Sequence, residues 1–323
     1  METGRVGRER LVPASAVTGR RIWFDLLLYP THSLPTAAAP VVIAVAIALR
    51  HHIFAPLPVL IGFVASWLIH IGGLFYDNYE LLVRYPDNRE HPELVQAYWD
   101  GKITPTVLAR AIIVCLLLAA LTGPYLWAIG GWPVAVFALI GVTASLSYSG
   151  GPLAYARLGL SEIVFFVMFG VVAVVGIYYL EAASALGDWR HAFAVLPPEV
   201  WVLGLPAGAF TVNILLIDDM RDREADAAKG WLTGAVRFGP RWARAGCIVL
   251  TGFAYLAPLW FLWGFGFSTW ILLPWATLPF AVSILRTLYT TPRLEDLEPV
   301  TPRGAFLAFF YSLLLAIGIV VPS

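Results

Sequence analysis

The sequence predicts an all-α, polytopic membrane protein: a bundle of nine transmembrane helices. Three observations predict the helical membrane class. Of the 323 residues, 59% are hydrophobic and 13% charged, with a mean hydropathy of +0.76; a soluble domain carries about 25% charged residues. Apolar runs of bilayer length, about 17–25 residues, recur along the whole chain, and the period-2 alternation of strands is absent. Lys and Arg fall almost entirely into alternate loops.

Each element follows in order. The opening segment "METGRVGRERLVPASAVTGRR" is basic and is not followed at once by a short apolar core and a small-residue cleavage site. Residues 1–30 therefore read as a retained cytoplasmic tail rather than a signal peptide, and 31–323 as a single transmembrane domain. Helices are expected at 33–50, 54–76, 104–123, 131–149, 159–181, 197–217, 242–262, 266–285 and 304–322. Several contain Pro or Gly, which bundles tolerate because neighbouring helices satisfy the freed backbone groups. Cys115 and Cys247 sit inside apolar runs and read as small packing residues, not a disulfide. The tryptophans scatter near helix ends, as interface anchors do.

Orientation follows from the cations. With the N-terminus inside, Arg5, Arg8, Arg10, Arg20, Arg21, Arg84, Arg89, Lys102, Arg110, Arg157, Arg221, Arg223, Lys229, Arg237, Arg241, Arg244, Arg286, Arg293 and Arg303 all fall on the inner side. Only Arg50 and Arg190 fall outside. The rule that cytoplasmic loops are positive then places the N-terminus in the cytoplasm and the C-terminus outside. One missed helix would scramble this pattern, so it supports the helix count too. The zero net charge gives no case for a nucleic-acid partner. His51 and His52 fall on the outer side, away from the acidic loops. His70 lies within helix 2, one turn before Gly73, where a hydrogen-bonded packing role is expected.

Function resides in the inner loops. After helix 6 comes "DDMRDREADAAKGWLTGAVRFG", with Asp218, Asp219, Asp222, Glu224 and Asp226 inside nine residues. Asp218, Asp222 and Asp226 are spaced four apart, so on a continuing helix they share nearly one face, where like charges repel. Two readings compensate that repulsion. In one, Arg221, Arg223 and Lys229 neutralise a solvated loop. In the other, the carboxylates hold a hard divalent cation such as Mg²⁺, which takes carboxylates together with substrate phosphates and water. The second reading needs carboxylates from another element. Helix 2 supplies them in "HIGGLFYDNYELLVRYPDNREHPE", where Asp77 and Glu80 are three apart and Asp87 follows. Two acidic clusters with interleaved cations on one membrane face suit a Mg²⁺-bound diphosphate, and a membrane cavity suggests that the diphosphate carries a lipid tail.

These residues resemble the UbiA superfamily of intramembrane prenyltransferases, and within it the 1,4-dihydroxy-2-naphthoate polyprenyltransferases of menaquinone synthesis. The second acidic motif is similar at Arg221, Asp222, Glu224, Asp226, Gly230, Thr233, Ala235, Val236, Arg237 and Gly239. The stretch "YSGGPLAYARLGLSEIVFFVMFGVVAVVGIYYL" matches at Tyr148, Gly150, Gly151, Pro152, Gly159, Leu160, Glu162, Phe169, Gly170 and Gly176. "HSLPTAAAPV" and "DGKITP" are weaker matches. The chain departs from the family pattern at Gly73, Tyr76 and Glu80 in the first motif, and at Asp218, Asp219 and Trp231 in the second. Lys229 is a candidate substitute for the lysine that Trp231 replaces.

The resemblance implies a Mg²⁺-dependent enzyme embedded in the lipid bilayer, with its active site facing the cytoplasm. A prenyl diphosphate ionises there and an aromatic ring captures the cation. It implies Asp77, Glu80, Asp222 and Asp226 as metal ligands, with Asp218 or Asp219 assisting. Asp77, Asp222, Asp226 and Arg221 are the catalytic candidates. Arg221, Lys229 and Lys102 would balance diphosphate oxygens, and Arg157 would meet the diphosphate or an acceptor carboxylate. Tyr148 and Tyr155 would flank the acceptor or the cation, and Asn78 and Arg237 complete the substrate-binding set. For Arg157 the structural alternative is an orientation charge at a helix end, and for the two tyrosines it is interface anchoring. In the naphthoate enzymes the prenyl group replaces the carboxylate, which leaves as carbon dioxide. The alternatives are a prenyltransferase for another phenolic acceptor in secondary metabolism, a terpene cyclase or lyase of the same superfamily, and a transporter. The transporter is disfavoured because the charges cluster at one membrane face rather than near the midplane.

Overall fold

The computed structural model describes residues 10–27, 30–87 and 91–322. Arg5, Arg8 and Arg89 lie outside the described residues, as do the first nine residues of the basic tail. Among the described residues all regular structure is helical. Nine long helices carry the fold: α1 Pro30–Arg50, α2 Pro56–Arg84, α3 Pro105–Leu121, α4 Gly123–Leu146, α5 Ser161–Leu186, α6 Leu205–Arg221, α7 Pro240–Gly264, α8 Thr269–Thr290 and α9 Val300–Val320. Eight belong to segments long and apolar enough to cross a bilayer, and α3 is a shorter apolar helix of 17 residues. The expected bundle is therefore observed.

Local chemistry sets the boundaries. Proline occupies the first turn of α2, α3, α4, α6 and α7, where its missing N–H costs nothing. Thr104 caps α3 by accepting from the Val107 N–H at 3.3 Å. Three ends differ most from expectation, the first being α6, which starts at Leu205 rather than at 197. α2 does not stop near 76 but runs on to Arg84, because nothing between Tyr76 and Arg84 breaks a helix. α4 starts at Gly123 and bends at Gly131, whose φ of 59° is followed by Pro133. The buried Tyr179 hydroxyl donates to the Gly130 carbonyl at 2.5 Å, satisfying an acceptor at that bend.

α6 is the central helix: it is buried along nearly its whole length, whereas α4 is buried only at Leu126, Gly130, Gly131 and Pro133. It packs on α5, α7 and α9; α1 lies along α9, and α2 along α3 and α4. Contact with α5 is backbone to backbone. A Cβ on Gly208 would lie 2.6 Å from the Phe166 carbonyl oxygen and 2.9 Å from Gly170 Cα. Gly204, one turn earlier, meets the same Gly170. Small residues four apart allow this approach between membrane helices. Beyond it, an aromatic core of Phe210, Tyr255 and Tyr311 joins α6, α7 and α9, with ring centroids 4.9–6.1 Å apart. Large side chains such as Leu117, Leu139, Val249 and Leu256 stay exposed on α3, α4 and α7, as lipid-facing positions do.

Candidate functional site

The central helix delivers the second acidic motif. Asp218 and Asp219 occupy its last turn, and the helix ends at Asp222, whose backbone turns out of register at φ −93° and ψ 6°. A new short helix, Arg223–Lys229, starts there and is closed by Gly230 in the left-handed region at φ 74°. The helix expected to carry Asp218, Asp222 and Asp226 is interrupted only at Asp222, and the backbone bonds at that spacing persist: the Asp222 N–H donates to the Asp218 carbonyl and the Asp226 N–H to the Asp222 carbonyl, both at 2.8 Å.

Cations do part of the compensating. Arg221 donates to Asp218 Oδ1 at 2.7 Å and clasps both oxygens of Asp222 at 2.8 and 2.5 Å. Thr301, at the start of α9, donates to the same Asp218 oxygen at 2.6 Å. Lys229 is 3.0 Å from Asp226 Oδ1, with side chains only 2% and 5% exposed. Its ammonium also sits 3.9 Å from the centre of the Trp231 ring, so the residue that departs from the family pattern provides a cation–π face for the lysine. Arg223 instead donates to the Ala235 carbonyl at 3.2 Å.

Three loops are tied into one frame. The Tyr85 hydroxyl, just past α2, donates to the Lys229 carbonyl at 3.3 Å. The Leu232 N–H donates to the Arg157 carbonyl at 3.2 Å. Within the α4–α5 loop, Tyr155 donates to the Ala144 carbonyl at 2.8 Å. This frame brings the two acidic motifs together around Tyr148. Burial holds the Tyr148 phenol well above its ordinary range, and the charges of Asp219, Asp77 and Asp226 act in the same direction. Tyr155 is raised by burial and by Asp77. The two rings meet edge-on at 5.6 Å, and Tyr148 also meets Trp231 edge-on at 6.3 Å.

Other predicted site residues have specific partners. Glu80 is buried in ion pairs with Arg84, one turn on, and with Arg157 at 3.5 Å. Asn78 is buried and donates to the Leu74 carbonyl of its own helix at 2.9 Å. Lys102 does not join the cluster: it is exposed, donates to the Val17 carbonyl at 2.6 Å and lies 3.8 Å from Asp100. Arg237 is exposed on the short helix Gly234–Phe238. Gly73 and Tyr76 acquire a packing reason. A Cβ at Gly73 would collide with Ser145 of α4, and the Tyr76 ring covers Gly150. His51 sits near Tyr178 and Glu199, 2.7 and 3.3 Å away, rather than with the acidic loops. His70 Nε2 is 2.9 Å from Ser33 Oγ and packs edge-on to Phe169.

Two residues at the site were not singled out from sequence. Glu162, on the first turn of α5, acts electrostatically on Asp219; its place in a matched motif was the available signal. His32, which opens the "HSLPTAAAPV" stretch, lies within electrostatic range of both Arg221 and His70. Unsatisfied buried polar atoms gather here: Ser149 Oγ, Arg157 Nε, Ser161 Oγ, Glu162 Oε1, Asp219 Oδ2 and Trp231 Nε1 have no hydrogen-bond partner among the described residues. Such atoms are rare in native proteins, and a concentration of them marks a place for water, an ion or a ligand.

Mg²⁺ fits this donor chemistry, being held by one or two carboxylates together with substrate phosphates and water. Among the described residues no three His, Cys, Asp or Glu side chains form a metal cage, and binding through substrate phosphates does not need one. Chemically, the arrangement combines excess carboxylate oxygen, two held cations and neutral aromatic faces at one end of the bundle. That suits a metal-bound diphosphate beside an aromatic molecule.

The chain is similar to known proteins. The family model described as "UbiA prenyltransferase family" matches residues 37–314. A relative from Escherichia coli (strain K12), 1,4-dihydroxy-2-naphthoate octaprenyltransferase, is 26% identical over 94% of this chain and 96% of its own length. A protein of the same name from Mycobacterium tuberculosis is 29% identical over 64% of this chain and 67% of its own. A solved structure from work on digeranylgeranylglyceryl phosphate synthase in membranes shares the fold, with a TM-score of 0.51 at 14% identity, covering 92% of this chain and 99% of that one.

Proposed function

We propose that this chain, which belongs to the UbiA prenyltransferase family and is an integral membrane prenyltransferase, transfers a polyprenyl group from its diphosphate to 1,4-dihydroxy-2-naphthoate, in menaquinone synthesis. The naphthoate acceptor is supported by the names that the relatives carry. The observation that carries the reading is the convergence of Asp77 from α2 with Asp219 and Asp226 from α6 and its following helix, all acting on one buried tyrosine.

The residues divide the work. Asp77, Asp219 and Asp226 would hold Mg²⁺, with Glu80, Asp218 and Asp222, which pair with Arg84, Arg157 and Arg221, contributing beside them. When bound, the ion would stabilise the negative charge that builds on the departing diphosphate. Arg221 and Lys229 place positive charge beside the same oxygens. Tyr148 and Tyr155 remain neutral and offer π faces to the allylic cation. Arg157, between Glu80 and the loop frame, would receive the acceptor carboxylate. The bond from the prenyl C1 to the diphosphate oxygen breaks and the diphosphate keeps the electron pair. The ring carbon bearing the carboxylate then bonds to C1, and the carboxylate leaves as carbon dioxide, returning its electrons to the ring.

The site would open to the cytoplasm, with the N-terminus on that side and the C-terminus outside. The test is direct. Purified protein receives polyprenyl diphosphate, Mg²⁺ and a panel of aromatic acids that includes 1,4-dihydroxy-2-naphthoate. The reading expects a prenylated, decarboxylated naphthalenediol. A prenylated product from a different phenol would reassign the acceptor, and a terpene hydrocarbon or alcohol would identify a cyclase or lyase.

A further inference from the structure

We propose that the end of the bundle bearing the acidic motifs carries a seat for an anionic phospholipid, in which Arg237 and Arg241 hold the headgroup phosphate and the apolar surface around them takes the acyl chains. Such a seat is independent of which diphosphate or acceptor the enzyme uses. Most arginines beside the acidic motifs are already engaged. Arg84 and Arg157 pair with Glu80, Arg221 pairs with Asp218 and Asp222, and Arg223 donates to the Ala235 carbonyl. Arg237 and Arg241 differ. Both are exposed, and neither side chain has a hydrogen-bond or ion-pair partner among the described residues. Each is followed in the chain by an exposed ring, Arg237 by Phe238 and Arg241 by Trp242, and the two ring centroids are 5.1 Å apart.

Close glycine contacts join these residues into one surface. Gly159 is in the left-handed region at φ 66°, and a Cβ there would run into the Leu232 carbonyl and come 3.5 Å from the Arg237 guanidinium carbon. Gly234 lies in the same way against the Trp242 ring. Leu158 and Leu232, beside these contacts, are exposed. The patch brackets the points where α5 and α7 begin their membrane-spanning stretches, at Ser161 and Pro240, which is the level where headgroups meet aromatic rings and cations. Farther along, Ile163 of α5 and Val249 of α7 are exposed; Val249 is seven residues after Trp242 and shares its helix face. Acyl chains would lie along these positions. A guanidinium meets a phosphate through parallel N–H donors, and an anionic lipid brings no ammonium to oppose it. The seat also reaches the loop frame. The Leu232 N–H donates to the Arg157 carbonyl at 3.2 Å, so a lipid held on Arg237 would steady both loops.

The test uses full-length protein in dodecyl maltoside, titrated with phosphatidylglycerol, phosphatidylcholine or free glycerol 3-phosphate, with bound lipid counted by native mass spectrometry. The wild type is expected to hold phosphatidylglycerol about tenfold more tightly than phosphatidylcholine. A basic side chain beside an anionic headgroup is worth about fivefold in binding. Arg237→Gln and Arg241→Gln are therefore each expected to weaken phosphatidylglycerol binding about fivefold, and the double variant about 25-fold, with Arg237→Lys recovering part of the loss. Arg293→Gln, which removes another exposed arginine from the loop between α8 and α9, is expected to leave it within about twofold. Melting curves recorded without added lipid show that each variant is folded, and added phosphatidylglycerol is expected to raise the melting temperature of the wild type but not of the double variant. Equal affinity for phosphatidylcholine, wild-type affinity in the double variant, or an equal loss in Arg293→Gln would overturn the seat. Glycerol 3-phosphate bound as tightly as the lipid would overturn the membrane source and assign the two arginines to a soluble phosphate.

Discussion

Replacing Lys229 by Met removes the cation from a buried pair while keeping the length of the side chain. The ammonium is 3.0 Å from Asp226 Oδ1, and at an effective dielectric of about 20 their attraction is about 5.5 kcal/mol. With the two side chains only 2% and 5% exposed, solvent screening takes little from that figure. Leaving one buried charge unpaired typically costs about 3–5 kcal/mol, and loss of the contact with Trp231 adds about 1 kcal/mol. Lys229→Met should therefore lose about 3–5 kcal/mol, or roughly 6–15 °C of melting temperature on the usual scale for soluble domains. The assay is thermal unfolding of detergent-purified protein followed by tryptophan fluorescence. Asp226→Asn alone should also destabilise, because it strands the lysine. The double variant Lys229→Met/Asp226→Asn should recover much of the loss, with a coupling of about 2 kcal/mol or more. A double variant as unstable as the sum of the singles would refute the pairing, as would a Lys229→Met protein that melts with the wild type.

Thr301→Val deletes the 2.6 Å hydrogen bond to Asp218; bonds to charged groups are worth about 1.5–3 kcal/mol, so melting should fall by that amount and turnover should drop severalfold. Gly208→Val should abolish the monodisperse peak in size-exclusion chromatography, since the new Cβ meets Phe166 and Gly170 backbone atoms. Alkaline titration followed at 295 nm should show exposed tyrosines ionising near pH 10, with Tyr148 and Tyr155 lagging because burial raises both. The sign for stability follows: the folded state holds these protons more tightly than the unfolded chain, so their contribution is complete below about pH 10 and is lost as pH rises beyond it. A Tyr148→Phe protein whose difference spectrum against wild type already shows one ionised phenol at pH 10 would contradict this.

The bundle was legible because bilayer-length apolar runs and one-sided cations leave few arrangements open. Helix ends were less so. Hydropathy falls off at Tyr76, yet the backbone of α2 continues to Arg84 because helix formation does not stop where greasiness does. The spacing of Asp218, Asp222 and Asp226 pointed to one continuing helix, which the structure interrupts at Asp222 alone. Both readings of the acidic loop capture part of it. Arg221 and Lys229 pair with three carboxylates as a self-compensating loop would, while Asp219 and Glu162 keep unsatisfied oxygens. Lys102 was grouped with the site by the resemblance alone, and its contacts with Val17 and Asp100 could not be read from sequence. Glu162 and His32 reach the cluster only through helix packing.

The central claim is that the two acidic motifs act on one metal-bound prenyl diphosphate. Release of inorganic diphosphate from polyprenyl diphosphate, measured in the presence of 1,4-dihydroxy-2-naphthoate with and without Mg²⁺, tests it most directly. The account predicts Mg²⁺-dependent release, matched one for one by prenylated naphthalenediol, and a fall of at least a hundredfold in both Asp77→Ala and Asp226→Ala proteins that still insert and fold. Release that persists unchanged in either variant, or that never occurs with any aromatic acceptor, would contradict it.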